Sequence, residues 1–324
     1  MHLDPYIILG AAVVGVLVGM TGAGGGALMT PMLIVLFGVK PIAAISSDLV
    51  ASVVMRPLGA GVHMRARTVN FRLVKWMALG SVPAAFAGTY LLHLLGNSHH
   101  ASKEVKFALG SALLVGAGAM ALRYLLDRQR GGERTAAVHD LQIRPALTLA
   151  IGVVGGLIVG LTSVGSGSLM IVLLLFAYPM IGARQLVGTD LTQAVPLTLA
   201  AAIGALIFGH VEFGVTGSLI IGAVPGVLVG SLLSSRAPDR YIRPVIAVVI
   251  CASGLKYVGL GNTDLIWGAV AAALAMGAVW ALGTMLDRQR AARAAREEVA
   301  VLGRERGGAI AREELGAGTI AGKT

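Results

Sequence analysis

Apolar runs follow one another along this chain with only short polar pieces between them. There are eleven, at roughly 6–20, 24–38, 42–63, 72–95, 104–126, 145–162, 165–181, 185–208, 213–234, 239–258 and 264–286. A helix needs about 20 mostly apolar residues to cross a bilayer, and most of these runs come close to that length. In water, one core could not bury them all; in lipid, their outward faces need no burial. Composition agrees: 13% of residues are charged, against roughly a quarter in soluble domains, and mean hydropathy is +0.81. The pattern predicts an all-α polytopic membrane protein. The first run lacks a basic leader and a small-x-small cleavage site, so it reads as mature sequence rather than a signal peptide. Cys251 is the single cysteine, which rules out an intrachain disulfide.

A net charge of +10 could suggest nucleic acid, but its placement argues otherwise. Four stretches hold 20 of the 26 Lys and Arg residues: 65–75, 123–144, 236–243 and 288 onward. None is long enough to fold into a basic surface, so no nucleic-acid partner is expected. Basic clusters beside membrane spans mark the cytoplasmic side. If the 65–75 loop is cytoplasmic and the chain alternates from there, all four clusters fall inside. The chain is then expected to span a membrane with its amino terminus outside and its carboxyl terminus in the cytoplasm, with lipid as its solvent.

The two halves repeat. At a shift of 141, Gly19, Thr21, Gly24, Gly26, Leu28 and Met29 match Gly160, Thr162, Gly165, Gly167, Leu169 and Met170. At 142, Asp48 matches Asp190, and Gly80, Pro83 and Gly88 match Gly222, Pro225 and Gly230. Each unit contains five segments. An odd number makes the halves face opposite ways, an inverted-topology repeat of the kind found in secondary transporters. The expected organisation is a first repeat at 1–126, a basic cytoplasmic linker at 127–144 and an inverted second repeat at 145–260. An extra helix at 261–286 and a charged cytoplasmic tail at 287–324 complete it.

Both units interrupt themselves early, with "GMTGAGGGALMTP" (19–31) and "GLTSVGSGSLMIV" (160–172). The apolar runs beside each break, about 15 residues long, reach only ~22 Å at 1.5 Å per residue, short of a core about 30 Å thick. Each pair is therefore expected to dip into the protein as a broken or re-entrant hairpin. Irregular backbone at that depth must be buried in protein or line a wet cavity. The second helix of each pair starts with unpaired N–H groups at the positive end of its dipole. Glycine lets a ligand come close to that backbone. The candidate anion-binding residues are therefore Thr21, Gly22, Gly24, Gly25 and Gly26 in the first break. In the second they are Thr162, Ser163, Gly165, Ser166, Gly167 and Ser168. Close helix packing is the plainer use of such glycines. No strand precedes the first break, so it is not a dinucleotide fingerprint, and no cofactor is expected.

Asp48, Asp190 and Arg56 lie well inside apolar segments. A charge at mid-bilayer costs about 2.5–3.5 kcal/mol on insertion scales, which makes function the default reading. The aspartates would repel an anion, so their expected role is coupling, to a proton or a cation; capping and bonding to the glycine loops is the structural alternative. Arg56, eight residues beyond Asp48 on broadly the same helical face, could pair with it or anchor an anion. Its counterpart is Thr198. Gln193, near Asp190, is a candidate neutral ligand. Pro83 and Pro225 are candidate bends. His63 reads as interfacial, and His99 and His100 have no nearby acids or cysteines, so no metal site is expected. "SVGSGS" has no histidine or lysine at matching depth to activate a serine; no catalytic residue is assigned.

The glycine opening with "LMTPML", the basic hairpin before "VNF", "VGTDLTQAVPLTLAAAIG" and "GAVPGVLVGSLL" together resemble the TauE/SafE family of sulfite and organosulfonate exporters, over about residues 10–260. The resemblance implies a plasma-membrane permease for small sulfur-containing anions, driven by an ion gradient. Its motif residues here are Gly22, Gly24, Gly25, Gly26, Pro31, Gly165 and Gly167. Ser163, Ser166 and Ser168 depart from the first motif, and Val172 stands opposite Pro31. The overall expectation is a secondary transporter, an exporter by resemblance, working by alternating access. Carriage of another anion or a metal cation, or a membrane binding protein without transport, are the alternatives.

Overall fold

The computed structural model describes residues 3–21, 25–96, 101–129, 142–167, 169–178, 181–233 and 239–259, and beyond these only Leu274, Gly277, Ala278, Ala281 and Met285. The chain divides into two units, residues 1–277 and 278–324. Among its described residues the first has ten helices, besides the helical Leu274 and Gly277: α1 (Pro5–Thr21), α2 (Gly26–Val35), α3 (Pro41–Arg65), α4 (Phe71–Gly96), α5 (Ala101–Gln129), α6 (Pro145–Thr162), α7 (Leu169–Ala177), α8 (Ala183–Phe208), α9 (Phe213–Leu233) and α10 (Asp239–Val258). In the second, Ala278, Ala281 and Met285 are helical. No strand occurs among the described residues. The linker core at 130–141, most of the extra helix, the tail and the His99–His100 loop lie outside them.

Among the described residues, six helices are long and apolar enough to cross a membrane: 41–61, 71–96, 103–122, 145–162, 185–208 and 213–230. Many large apolar side chains on them face outward, among them Leu79, Phe107, Val115, Leu206 and Ile207. Where water would penalise such a surface, lipid solvates it.

The broken pairs differ in one respect from two equal short runs. α1 and α6 have 17 and 18 residues, about 26 Å each, whereas α2 and α7 have 10 and 9, about 14–15 Å at 1.5 Å per residue. Each break thus joins a nearly full-length helix to a half-length one. Hydropathy overran the helix ends because the loops that follow are themselves apolar. Past α2, Gly38 takes a left-handed conformation at φ 66°. Past α7, Pro179 disfavours helix at Tyr178.

Backbone-to-backbone packing fixes the arrangement. α1 lies against α9, α4 against α6, α3 against α8, and α5 against α10. A Cβ on Gly80 would overlap the Leu149 carbonyl oxygen, and one on Gly222 that of Ile8. Gly88 meets Leu157 as Gly230 meets Val16, and Gly156 meets Ser81 as Gly15 meets Ala223. Every one of these pairs of contacts joins positions that the 141–142 shift makes equivalent. Residue numbers rise together across both interfaces, so α4 runs parallel to α6 and α1 to α9. The α3–α8 pair runs the other way: Gly59 meets Leu191, while Ser47, near the start of α3, bonds the Glu212 backbone just past α8.

These contacts make the glycines specific. Gly222→Ala and Gly80→Ala each force backbones apart and are expected to lower stability by about 1–3 kcal/mol. Gly118, with no heavy atom within 4 Å of its Cβ position, is the control: Gly118→Ala is expected to stay within about 0.5 kcal/mol. Thermal unfolding of the full chain in one detergent compares all three.

Candidate functional site

The two breaks meet. A Cβ on Gly26, the first residue of α2, would overlap the Ser163 carbonyl oxygen and stand 2.9 Å from its hydroxyl. Ser163 caps α6 in the left-handed conformation, φ 59° and ψ 2°, with its N–H on the Val159 carbonyl. Gly165 and Gly167 also have positive φ, 119° and 93°, so the chain turns three times in five residues where L side chains seldom follow. Thr162 steadies the turn: its hydroxyl donates to the Ile158 carbonyl (2.7 Å) and accepts from Val164 N–H (3.2 Å).

Asp48, midway into α3 and fully buried, lies at this junction. Its Oδ2 accepts from the Thr30 hydroxyl on α2 (2.9 Å) and from the Ser163 hydroxyl in the second break (2.7 Å). One carboxylate oxygen therefore joins α2, α3 and the end of α6. Its Oδ1 is buried without a hydrogen-bond partner. Arg56 is 7% exposed, and its charge acts on both Asp48 and Asp190. Asp190 is fully buried on α8. The structure thus assembles the three ionisable groups of the apolar segments into one electrostatic cluster.

The remaining expected residues spread around it. Gly25 is buried and precedes α2, its carbonyl accepting from Leu28 and Met29 N–H. Thr21 ends α1. Ser166 is 4% exposed and its hydroxyl has no hydrogen-bond partner. Gln193, fully buried, donates from Nε2 to the Ser81 hydroxyl on α4 (2.6 Å), which ties α8 to α4; no bond joins it to the breaks. Thr198, the counterpart of Arg56, bonds back to the Ala194 carbonyl. Gly22, Gly24 and Ser168 lie outside the described residues, as does the His63 side chain. α4 and α9 continue through Pro83 and Pro225.

Two participants were not anticipated. Thr30 is the only hydroxyl in the apolar helix "GALMTPMLIV", and that isolation was its signal. Ser81 sits in "GSVPAAFAG" beside the contact with Gly156 and had no signal of its own.

An all-helical chain with six apolar helices of spanning length and a buried charged cluster where two helix breaks converge has the build of a multi-pass membrane transporter. The model of the family described as sulfite exporter TauE/SafE matches residues 7–257. The probable membrane transporter protein YjnA of Bacillus subtilis (strain 168) is 43% identical over 253 residues, 78% of this chain and 98% of its own length. Two others from the same organism, the probable membrane transporter proteins YdhB and YunE, are 21% and 24% identical over 77% and 78% of this chain and 98% and 96% of their own lengths. No solved structure matches. The chain belongs to the TauE/SafE family and is a membrane transporter.

Because Gly26 touches the opposite break while Gly25 has nothing nearer its Cβ position than 3.5 Å, the adjacent glycines should respond differently. Gly25→Ala is expected to keep near-native stability, and Gly26→Ala to lose about 3 kcal/mol or more through overpacking that neither backbone can relieve. Thermal unfolding of both variants checks this.

Proposed function

We propose that this protein is a secondary transporter, an exporter, of a small sulfur-containing anion such as sulfite or an organosulfonate. The contact that carries the reading is the Ser163 carbonyl against Gly26, since it brings the two helix breaks together deep in the fold. In this reading the anion sits at the starts of α2 and α7. The positive ends of their dipoles and the Ser166 hydroxyl would attract it without a full positive charge. The class of substrate rests on the family description.

The inverted repeat is supported by the antiparallel run of α3 and α8, the two helices that carry the matched aspartates. Alternating access then follows as movement of one repeat against the other about the fixed site. Asp48 and Asp190 carry the coupling charge, and Arg56 keeps them from facing the anion as two bare carboxylates. The distribution of basic loops supports an amino terminus outside, and the family supports a plasma-membrane location.

Proteoliposomes loaded with sulfite, and separately with taurine or sulfoacetate, test the reading. Efflux above that of protein-free vesicles is expected for at least one. Asp48→Asn and Asp190→Asn are each expected to reduce it about tenfold or more, because an amide cannot carry a coupling charge. Wild-type flux in both variants would remove the coupling role; no flux of any sulfur anion would remove the substrate class.

A further inference from the structure

The matched aspartates have unmatched surroundings. Asp48 Oδ2 takes hydroxyl hydrogens from Thr30 and Ser163, and the positions equivalent to those donors hold Ile171 and Gly22, which have no hydroxyl. A guanidinium does not give up its proton in a protein, so with all three groups ionised the cluster keeps one negative charge. On Asp48, Oδ1 is fully buried and has no hydrogen-bond partner. An anionic oxygen left in that state is strongly unfavourable unless a cation or proton meets it.

We propose that Asp48 Oδ1 and the hydroxyl oxygens of Thr30 and Ser163 form a binding site for one sodium ion. A hydroxyl that gives its hydrogen to Oδ2 keeps its lone pairs for a cation. All the donors are hard oxygens, which suit a hard cation and not a soft transition metal. Among the described residues no three His, Cys, Asp or Glu side chains gather to hold such a metal. α6 ends at Thr162 with Ser163 as its cap, so the negative end of its dipole adds to the attraction. A single bound cation brings the cluster to neutrality. The site exists whichever anion is carried; only its role as the coupling site rests on the transport reading above.

The test uses the purified full chain in lipid nanodiscs at fixed pH and ionic strength, with choline chloride replaced stepwise by sodium chloride and no sulfur anion present. A saturable rise in Tm with one-site behaviour is expected. Ser163→Ala and Thr30→Val, compared once circular dichroism shows wild-type helix content, are each expected to weaken the apparent sodium affinity about tenfold, and Asp48→Asn to abolish the response. Equal Tm values in sodium and choline overturn the proposal. So does a response untouched in both hydroxyl variants, or one that pH alone reproduces, which would assign the charge to a proton. Sulfur-anion flux without a sodium response overturns the cation site alone; a sodium response without such flux overturns the sulfur-anion reading alone.

Discussion

Everything in this fold depends on helices that approach until their backbones touch. α1 belongs to the first half of the chain but packs on α9 of the second; α6 belongs to the second but packs on α4 of the first. Side chains would hold these axes apart, so glycine stands at each closest point. Lipid tails are as apolar as leucine, which leaves little hydrophobic drive between helices within a bilayer; association there comes from close packing and polar contacts. The glycine rows supply the packing. They also exchange the leading helices of the two halves, which carries each break into the other half's territory. The meeting of Gly26 with Ser163 is a consequence of that exchange.

On this repeated frame the chemistry is uneven. The packing contacts recur at equivalent residues, but the polar ones do not. Thr30 stands where the second half has Ile171, Ser163 where the first has Gly22, and Arg56 where the second has Thr198. Gln193 and Ser81 bond each other where the counterparts are Ala51 and Ala223. Hydroxyl, amide and charge differ at these positions, while Gly80 and Gly222, Gly88 and Gly230, and Gly15 and Gly156 recur at their close contacts.

Much of this could be read from the sequence because lipid simplifies the code. A membrane helix is announced by the length of its apolar run, and eight of the ten helices match their runs within a few residues. α2 and α7 do not, because hydropathy cannot tell an apolar loop from an apolar helix; Gly38 and Pro179 were the cues. The convergence of the breaks was legible through the repeat, since duplicated interruptions need a shared place to go. The bond from Ser163 to Asp48 was legible only as the structural alternative for the aspartates. Nothing in the order of residues tells which hydroxyl, 115 positions away, a buried carboxylate will find. Thr30 was hidden for the opposite reason: a single polar residue in an apolar helix is ordinarily tolerated by bonding to its own backbone, and only the depth of Asp48 beside it changes that.

The site also resolves an apparent conflict, a carboxylate placed beside helix starts that favour anions. Asp48 and the start of α2 both meet Ser163: its hydroxyl donates to the carboxylate and its carbonyl lies against Gly26. Moving the two breaks apart would strip the carboxylate of one of its two donors and the α2 start of its neighbouring backbone in a single step. In the proposed transport cycle, an anion at the helix starts and the charge on Asp48 would be linked through this one residue, as coupled transport requires: binding at one place changes the free energy of binding at the other, and by the same amount in return.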